Sequence, residues 1–273
     1  MRATAPLTMA SVPPLTTPRK ARMMTPHSLG VQLYSVRDDL DASVLPSTVA
    51  RLASMGYTHL EPYRILENTE LLKRSMDEAG LVATTAHANL VALDRDAHLR
   101  AARILGVDTL IIPWVEPASI ATRDGVEDLA ASVNDVAAWG ADNGIRIGYH
   151  NHDFEFSTSI GGVSAWKLLV DLFDDHVILE LDTYWASVGG GDVIEILGRL
   201  GDRIPLLHVK NQPADQNDPA TLGPDITGRM PEVLDAAVAH LEFPVVELVV
   251  DDVFAALERN ARWFAAELGT VSA

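Results

Sequence analysis

The chain has 273 residues, a formal net charge of -17 and no cysteine. The acidic excess argues against a nucleic-acid partner, because binding a phosphate backbone relies on clustered Lys and Arg. The lack of cysteine excludes disulfides and thiolate metal sites. No apolar stretch approaches the roughly 20 residues that a membrane-spanning helix needs, so we predict no membrane partner either.

The first 28 residues are rich in Pro, Thr, Ala and Met and show no regular periodicity, which predicts a flexible tail at 1–28. The basic PRKAR segment follows a proline-broken stretch, whereas a secretory signal places its basic residues before an apolar core. We therefore predict a cytoplasmic protein with one folded domain at 29–268 and a short C-terminal tail at 269–273.

From residue 29 onward, short runs rich in Val, Ile and Leu alternate with segments of helical periodicity, often closed by Gly. The longest helical segment lies at 122–144, and DVFAALERNARWFAAELG forms the final predicted helix. The eight candidate strands are LGVQLY, THLEPY, VATTAH, DTLIIPW, IRIGYHNH, VILELDT, PLLHVKN and PVVELVV.

Eight strand-then-helix units predict an α/β fold that is either a closed (β/α)8 TIM barrel or an open doubly wound sheet. An open nucleotide-binding sheet usually has a Gly-rich turn after its first strand, but here LGVQLYSVRDDL follows. The number of units and the lack of a Gly-rich turn after the first strand favour the barrel, for which about 250 residues are typical.

Four polar residues lie at the carboxyl ends of the last four predicted strands. In a parallel barrel these ends meet at one rim, where catalytic groups gather. Two imidazoles and two carboxylates can bind one divalent ion, and the lack of sulfur leaves Mn²⁺, Mg²⁺, Co²⁺, Fe²⁺ and Zn²⁺ open. The predicted metal ligands are His150, Asp182, His208 and Glu247.

Residues two apart on a strand share a face, which places further candidates beside these ligands. Glu180 lies deeper than Asp182 and is predicted either to support the ligands or to belong to a buried ion pair, rather than to bind the metal itself. Lys210 follows His208 and is a candidate proton donor, with a rim salt bridge as the equal alternative. His152 is a candidate base, and Glu155 is either a base or a residue that caps its loop.

Other candidates come from the ends of the first four strands and from the residues after the sixth. The polar ones are predicted to face a substrate, and the tryptophans to form apolar walls against a sugar ring or simply to pack. The predicted substrate-binding residues are Gln32, Tyr34, Glu61, His87, Trp114 and Trp185.

The chain resembles the xylose isomerase-like TIM barrels, the sugar phosphate isomerase/epimerase superfamily. The resemblance rests on GVQLYSVRD, GYHNHDFEF, ELDTYW and HVKN and extends over 29–268. It implies a metal held by Glu, Asp, His and Glu, and it implies that the two glutamates also exchange protons with the carbons beside a carbonyl. Here His150 stands where the family has the first glutamate. Trp185 stands where the family often has a histidine, three positions after the aspartate of strand six. The segment GPDITGRMPEVL, after strand seven, lacks the GxG form that is usual in the family.

The resemblance implies a divalent-metal-dependent sugar isomerase or epimerase with an enediolate intermediate, with Mn²⁺ as the first choice of ion and Glu247, Lys210, Glu155 and His152 as catalytic candidates. A 3-keto-glycoside lyase or hydratase on the same scaffold is nearly as well supported. Weaker hypotheses are a metal-dependent endonuclease, which the charge argues against, and a non-catalytic sugar-binding subunit. The expected partner is a small sugar or keto-glycoside, and the sequence leaves open whether the chain forms a homo-oligomer.

Overall fold

The computed structural model describes residues 28–209 and 229–271, with side chains to residue 267. Apart from Ser28, the predicted N-terminal tail lies outside the described residues. The final helix runs to Val271, three residues past the predicted end of the domain.

The described residues form one sheet of eight parallel strands, in the order β2-β1-β8-β7-β6-β5-β4-β3. The strands are β1 (Gly30–Gln32), β2 (His59–Glu61), β3 (Thr85–His87), β4 (Thr109–Ile112), β5 (Arg146–His150), β6 (Val177–Asp182), β7 (Leu206–Val209) and β8 (Phe243–Val246).

The first and last strands of this order approach each other and nearly close the sheet. A bridge joins His59 to Val82, and the Leu60 N–H donates to the Val82 carbonyl at 2.8 Å. At the other end of the seam, the His87 N–H donates to the Pro62 carbonyl at 2.8 Å. The prediction of a (β/α)8 TIM barrel is therefore confirmed.

Helices follow the strands and cover the outside of the barrel, as the apolar periodicity predicts. The main helices are α1 (Leu45–Ser54), α2 (Thr69–Ala79), α3 (Arg95–Leu105), α4 (Arg123–Asn143), α5 (Ala165–Leu172), α6 (Val193–Leu200), α7 (Met230–Ala237) and α8 (Val253–Val271). Shorter elements are the helices Phe154–Ser157 and Thr183–Val188, the 3-10 turns Leu33–Asp39, Pro117–Ile120 and Gly201–Arg203, and a hairpin of Ser159–Ile160 with Val163–Ser164.

Local sequence signals set the helix ends. The longest helix, α4, begins at the N-cap Thr122, whose hydroxyl accepts the Gly125 N–H at 3.2 Å. It ends at Gly144, which adopts the left-handed conformation (φ 70°) that favours glycine. Within the described residues, no helix is long and apolar enough to cross a membrane.

The interior of the barrel changes from apolar to polar along the strands. At its base, a buried cluster contains Ile111, Leu206, Phe243 and Val245, with Ile178 packed against it. Because side chains alternate, the residues two and four positions after Ile178 point into the same interior, and these are Glu180 and Asp182. The fold therefore places these two carboxylates above a layer of apolar side chains, toward the carboxyl-terminal end of the barrel.

Candidate metal centre and active-site cavity

The four predicted metal ligands converge at the carboxyl ends of strands β5 to β8. One ligand atom from each lies within 4.8 Å of the others. His150 Nε2 lies 3.9 Å from Asp182 Oδ2, and His208 Nδ1 lies 3.6 Å from Glu247 Oε2. All four side chains are buried. We call His150, Asp182, His208 and Glu247 the outer tetrad.

A layer of buried carboxylates beneath the outer tetrad orients its two imidazoles. His150 Nδ1 lies 3.1 Å from Glu180 Oε2, and His208 Nε2 lies 2.7 Å from Glu61 Oε1. An ionised carboxylate only accepts hydrogen bonds, so each ring must donate through the nitrogen that faces it. The opposite nitrogens, His150 Nε2 and His208 Nδ1, would then present lone pairs to an ion in the outer tetrad, as metal-binding histidines do. Burial opposes protonation of His208, but Glu180 and Glu61 raise its pKa well above the usual range, so binding of an ion would displace a proton from this ring.

His87 joins the two supporting carboxylates. Its Nε2 atom lies 2.8 Å from Glu180 Oε2 and 3.2 Å from Glu61 Oε1. Gln32 Nε2 donates to Glu61 Oε1 at 2.9 Å. Gln32 and Glu61 are fully buried and do not line the cavity described below. Their place is therefore beneath the substrate space, and the prediction that they contact substrate has no support from the geometry.

Charge is shared unevenly in this buried layer. Burial opposes ionisation of Glu61, but His87 and His208 lower its pKa well below the usual range. Burial and the neighbouring Glu61 raise the pKa of Glu180 to about 7, against the effect of the histidines. Burial opposes protonation of His87, yet Glu61 and Glu180 raise its pKa to about 9. The layer is thus a network of charge-assisted hydrogen bonds.

The ligand atoms of the outer tetrad suit a divalent ion. Burial, followed by His208 and His87, lowers the pKa of His150 well below its usual value, so this ring is neutral and able to coordinate. Among the described residues, the buried His208 Nδ1 atom has no hydrogen-bond partner. Two carboxylates and two imidazoles without sulfur form a donor set for Mn²⁺, Mg²⁺ or Zn²⁺.

A second group of potential ligands shares residues with the outer tetrad. It consists of His87, His150, Glu180 and His208, whose ligand atoms also lie within 4.8 Å of one another. Glu180 Oε2 lies 2.8 to 3.2 Å from all three rings, which are hydrogen-bond distances. Because this group lies deeper and its His150 and His208 rings face Glu180 with the opposite nitrogens, the outer tetrad is the stronger candidate for a metal site, and Glu180 is a candidate supporting residue.

Asp182 combines two roles through its two oxygens. Asp182 Oδ1 accepts the Trp185 N–H at 2.8 Å and caps the helix Thr183–Val188, while Oδ2 faces His150. The fully buried Asn151 fixes the Asp182 backbone from the neighbouring strand: its Oδ1 accepts the Asp182 N–H at 2.9 Å, and its Nδ2 donates to the carbonyl at 3.2 Å. Sequence reasoning did not identify this contact.

A cavity of about 640 Å³ opens above the outer tetrad. It includes His150 and Glu247 and most of the predicted substrate and proton-transfer candidates, namely Tyr34, His87, Trp114, His152 and Trp185. Sequence reasoning missed Tyr63, Arg64, Asn89 and His98, which also line it. Tyr63 and Arg64 directly follow THLEP in the sequence, so the rule that loops after strands form the site would have found them.

His152 forms part of the aromatic wall of this cavity. Its ring stacks on Phe154 with centroids 5.6 Å apart and lies 5.9 Å from the ring of Trp185. It also meets His150 edge-on at 5.1 Å. His152 therefore places an ionisable ring beside the outer tetrad, in contact with the substrate space.

Two other proton-transfer candidates differ from His152. Glu155 is fully buried and does not line the cavity. It accepts the Tyr149 O–H at 2.8 Å and the His152 N–H at 2.9 Å, and burial raises its pKa to about 7. This geometry supports the loop-holding alternative for Glu155 rather than the role of base. Lys210 lies outside the described residues.

Comparison with known structures finds the same architecture in other proteins. A sugar phosphate isomerase/epimerase from Parabacteroides distasonis matches 88% of this chain and 96% of its own, with 24% identity and a TM-score of 0.71. A xylose isomerase-like TIM barrel protein from Mycobacterium smegmatis, solved with magnesium, matches 92% of this chain and 100% of its own, with 14% identity and a TM-score of 0.64.

A probable 3-DHS dehydratase from Bacillus anthracis matches 90% of this chain and 99% of its own, with 12% identity and a TM-score of 0.64. A comparison with curated proteins finds no match. The family model described as xylose isomerase-like TIM barrel matches residues 49–235, which is more than half of the chain. Together with the nearly closed barrel and the resemblance of its strand-end motifs, this match shows that the chain belongs to the xylose isomerase-like TIM barrel family.

Proposed function

We propose that this chain is a divalent-metal-dependent sugar isomerase or epimerase that removes a proton next to a carbonyl. The observation that supports this proposal most is the outer tetrad, in which two imidazoles and two carboxylates from four consecutive strands meet at the base of a cavity of about 640 Å³. Family membership agrees with it, and the Parabacteroides protein of the same fold is named as an isomerase/epimerase.

The residues that would hold one ion are His150, Asp182, His208 and Glu247. We propose Mn²⁺ as the first choice, with Mg²⁺, Co²⁺, Fe²⁺ and Zn²⁺ as alternatives, because nitrogen and oxygen donors suit all of them. When bound, such an ion supplies Lewis acidity that stabilises the negative charge developing on a carbonyl oxygen. The Mycobacterium protein of the same fold was solved with magnesium.

The cavity wall offers two groups that can move the proton. Glu247 and His152 both line the substrate space. For isomerisation, either would accept a proton from one carbon and return it to the neighbouring carbon of the enediolate, and for epimerisation one would accept the proton and the other would return one to the opposite face of the same carbon. His150 cannot take part in this proton transfer, because Nδ1 of its ring is hydrogen-bonded to Glu180 and Nε2 would bind the ion in the outer tetrad. Lys210 remains a candidate proton donor by sequence alone.

The apolar part of the cavity fits a sugar ring. Trp114 and Trp185 line it together with Tyr34 and Tyr63. Aromatic faces pack against the C–H surfaces of sugars and exclude water from the reacting carbons. We therefore propose a small sugar or keto-glycoside as the substrate.

One observation favours a second candidate, a lyase or hydratase acting on a 3-keto-glycoside. His150 occupies the position where the resemblance implies a glutamate, so a symmetric exchange between two glutamates is absent. Elimination needs one base beside the carbonyl and an acid for the leaving group, and Glu247 with His152 would suffice. The Bacillus protein of the same fold is named as a probable dehydratase.

The test measures the incorporation of deuterium from the solvent into aldoses, ketoses and 3-keto-glycosides. It is run with the Mn²⁺-loaded protein and with chelator-treated protein. We expect metal-dependent exchange, and its loss by at least about 100-fold in His152→Asn, as is usual when an acid–base group is removed. The matched control is His176→Asn, an exposed histidine before β6, which should exchange at the normal rate.

The products separate the two candidates. Exchange with the aglycone retained supports isomerisation or epimerisation, and release of the aglycone supports the lyase. Full exchange activity after removal of the metal would refute the metal-dependent mechanism. Normal exchange in His152→Asn with normal metal content would remove His152 from the proton path and leave Glu247.

A further inference from the structure

The loop between β2 and α2 contains two residues in a backbone conformation that L-amino acids other than glycine rarely adopt. Arg64 has φ 50° and Asn68 has φ 53°. The Glu67 N–H donates to the Arg64 carbonyl at 2.8 Å and closes a tight turn. Non-glycine residues in this conformation concentrate at ligand-binding sites, where the surrounding structure holds them in place. The loop lies on the rim of the cavity, and Arg64 lines it.

The Arg64 guanidinium rests on an aromatic platform. It lies 5.4 Å from the centroid of the Tyr63 ring, which in turn meets Tyr34 edge-on at 5.4 Å. Both tyrosines line the same cavity. In the described part of the chain, the Arg64 side chain makes no hydrogen bond or ion pair, whereas the nearby Arg37 donates to the Tyr34 carbonyl at 3.3 Å. The donors of Arg64 are therefore available to a ligand.

The local charge of the cavity differs from the charge of the whole chain. Two carboxylates of the outer tetrad would balance one divalent ion, and among the described residues of the wall Arg64 is the single lysine or arginine. The net charge of -17 is spread over the whole molecule. At physiological salt, charges on the exposed surface act over only about 8 Å. An anionic group in this cavity can therefore pair with Arg64.

We propose that Arg64 binds a carboxylate of the substrate at the cavity mouth, so that the enzyme acts on an acidic sugar rather than a neutral one. This inference rests on the proposed function of the same cavity. A guanidinium presents two parallel N–H groups that match the two oxygens of a carboxylate. One guanidinium can pair both of its parallel N–H groups with the two oxygens of a carboxylate, and the phosphorylated sugar in the experiment below tests this choice against a phosphate.

The experiment measures deuterium exchange by the Mn²⁺-loaded full chain with matched pairs: D-glucuronate with D-glucose, D-galacturonate with D-galactose, and D-glucose 6-phosphate as the phosphorylated member. The variant is Arg64→Asn, because asparagine tolerates the left-handed backbone. Arg74→Gln removes the same charge from an exposed position on α2 and serves as the control. Calorimetric titration of each protein with the two uronates measures binding without turnover.

We expect exchange to favour the uronates, and kcat/KM for them to fall about 10- to 100-fold in Arg64→Asn, the loss usual for a hydrogen bond to a charged group. The ratio of kcat/KM for a uronate to that for its neutral partner should fall in Arg64→Asn, and Arg74→Gln should match the unsubstituted protein. Equal use of neutral and acidic sugars, an equal loss on both in Arg64→Asn, or a preference for the phosphate would overturn the inference and leave the proposed function intact.

A complete lack of exchange with every sugar would count against the proposed function instead. In that case the titrations decide about Arg64. Binding of a uronate that weakens at least about tenfold in Arg64→Asn but not in Arg74→Gln supports the carboxylate site, since tenfold is the lower end expected for one charged hydrogen bond. Uronate binding that is absent, or that is the same in all three proteins, overturns it.

Discussion

Replacing Glu180 by glutamine should weaken metal binding without unfolding the barrel. Glu180 Oε2 lies 2.8 Å from His87 Nε2, 3.1 Å from His150 Nδ1 and 3.2 Å from His208 Nε2. A glutamine can place its carbonyl oxygen at the position of Oε2, but it loses the negative charge, and its amide group then lies at the position of Oε1, which has no hydrogen-bond partner among the described residues. Glu180→Gln thus gives His150 a weaker, uncharged acceptor, and its Nε2 atom is held less firmly toward the outer tetrad.

The size of the effect follows from these contacts. Removing a hydrogen-bond partner of a metal-binding histidine typically costs 10- to 100-fold in metal affinity, or about 1.4 to 2.8 kcal/mol. The metal-free protein should lose less stability than this, because burial already disfavours the charge, as the pKa of about 7 for Glu180 indicates. We therefore expect a higher Kd for Mn²⁺ with a nearly unchanged Tm of the metal-free protein.

The assay is a titration with Mn²⁺ followed by electron paramagnetic resonance, together with thermal unfolding in chelator. Glu155→Gln is the matched control, since Glu155 is also fully buried and its pKa is also about 7, but it contacts Tyr149 and the His152 backbone instead of the ligands. A Kd in Glu180→Gln equal to that of the control would refute the idea that Glu180 orients the imidazoles.

Two further predictions concern stability. The pKa of Glu155 is about 7 in the folded chain against 4.5 ordinarily, so the folded state keeps a proton that the unfolded state has lost, and stability falls as pH rises between these values. The glutamine of Glu155→Gln cannot ionise, so the variant lacks this pH dependence. Between pH 5 and pH 8, chemical denaturation of the metal-free proteins should show that the free energy of unfolding of the unsubstituted chain falls by about 2 to 3 kcal/mol relative to that of the variant. Parallel pH curves for the two proteins would contradict this. Gly140→Ala places a Cβ 2.6 Å from Ile147 Cγ1 and 2.8 Å from the Ile145 carbonyl oxygen. Denaturation should show a net loss of about 1 to 2 kcal/mol, because overpacking outweighs the better helix propensity of alanine, and an unchanged midpoint would mean that α4 shifts freely on β5.

Much of the outer tetrad could be predicted because it depends on simple rules. Strand ends and the alternation of side chains place His150, Asp182, His208 and Glu247 on one rim, and they place Glu180 one layer below Asp182. These rules need only the strand assignments and the barrel arrangement of the strands, which the structure confirms.

The contacts across the barrel could not be predicted in the same way. His208 and Glu61 are 147 positions apart, and their 2.7 Å contact depends on how the interior side chains share space. The same limit explains Glu155, which follows strand β5 but turns back to the hydroxyl of Tyr149, a buried residue next to His150 on that strand. Sequence spacing gave no sign of which side of the loop its carboxylate would occupy.

The network beneath the outer tetrad also changes the meaning of the histidine at position 150. A neutral imidazole in place of a glutamate removes one negative charge from direct contact with an ion and, taken alone, makes that ion a stronger Lewis acid. Glu180 lies 3.1 Å from the far side of the same ring, so the negative charge that Glu180 carries when it is ionised lies one imidazole away from the position of the ion. A ring that donates to a carboxylate is a more basic ligand, which restores part of the lost electron density. In the proposed mechanism, His150 and Glu180 therefore act as one unit. Their contact also has a geometric consequence, because an imidazole hydrogen-bonded to Glu180 cannot rotate to accept a proton from substrate, and this is why we propose His152 and Glu247 on the cavity wall for proton transfer.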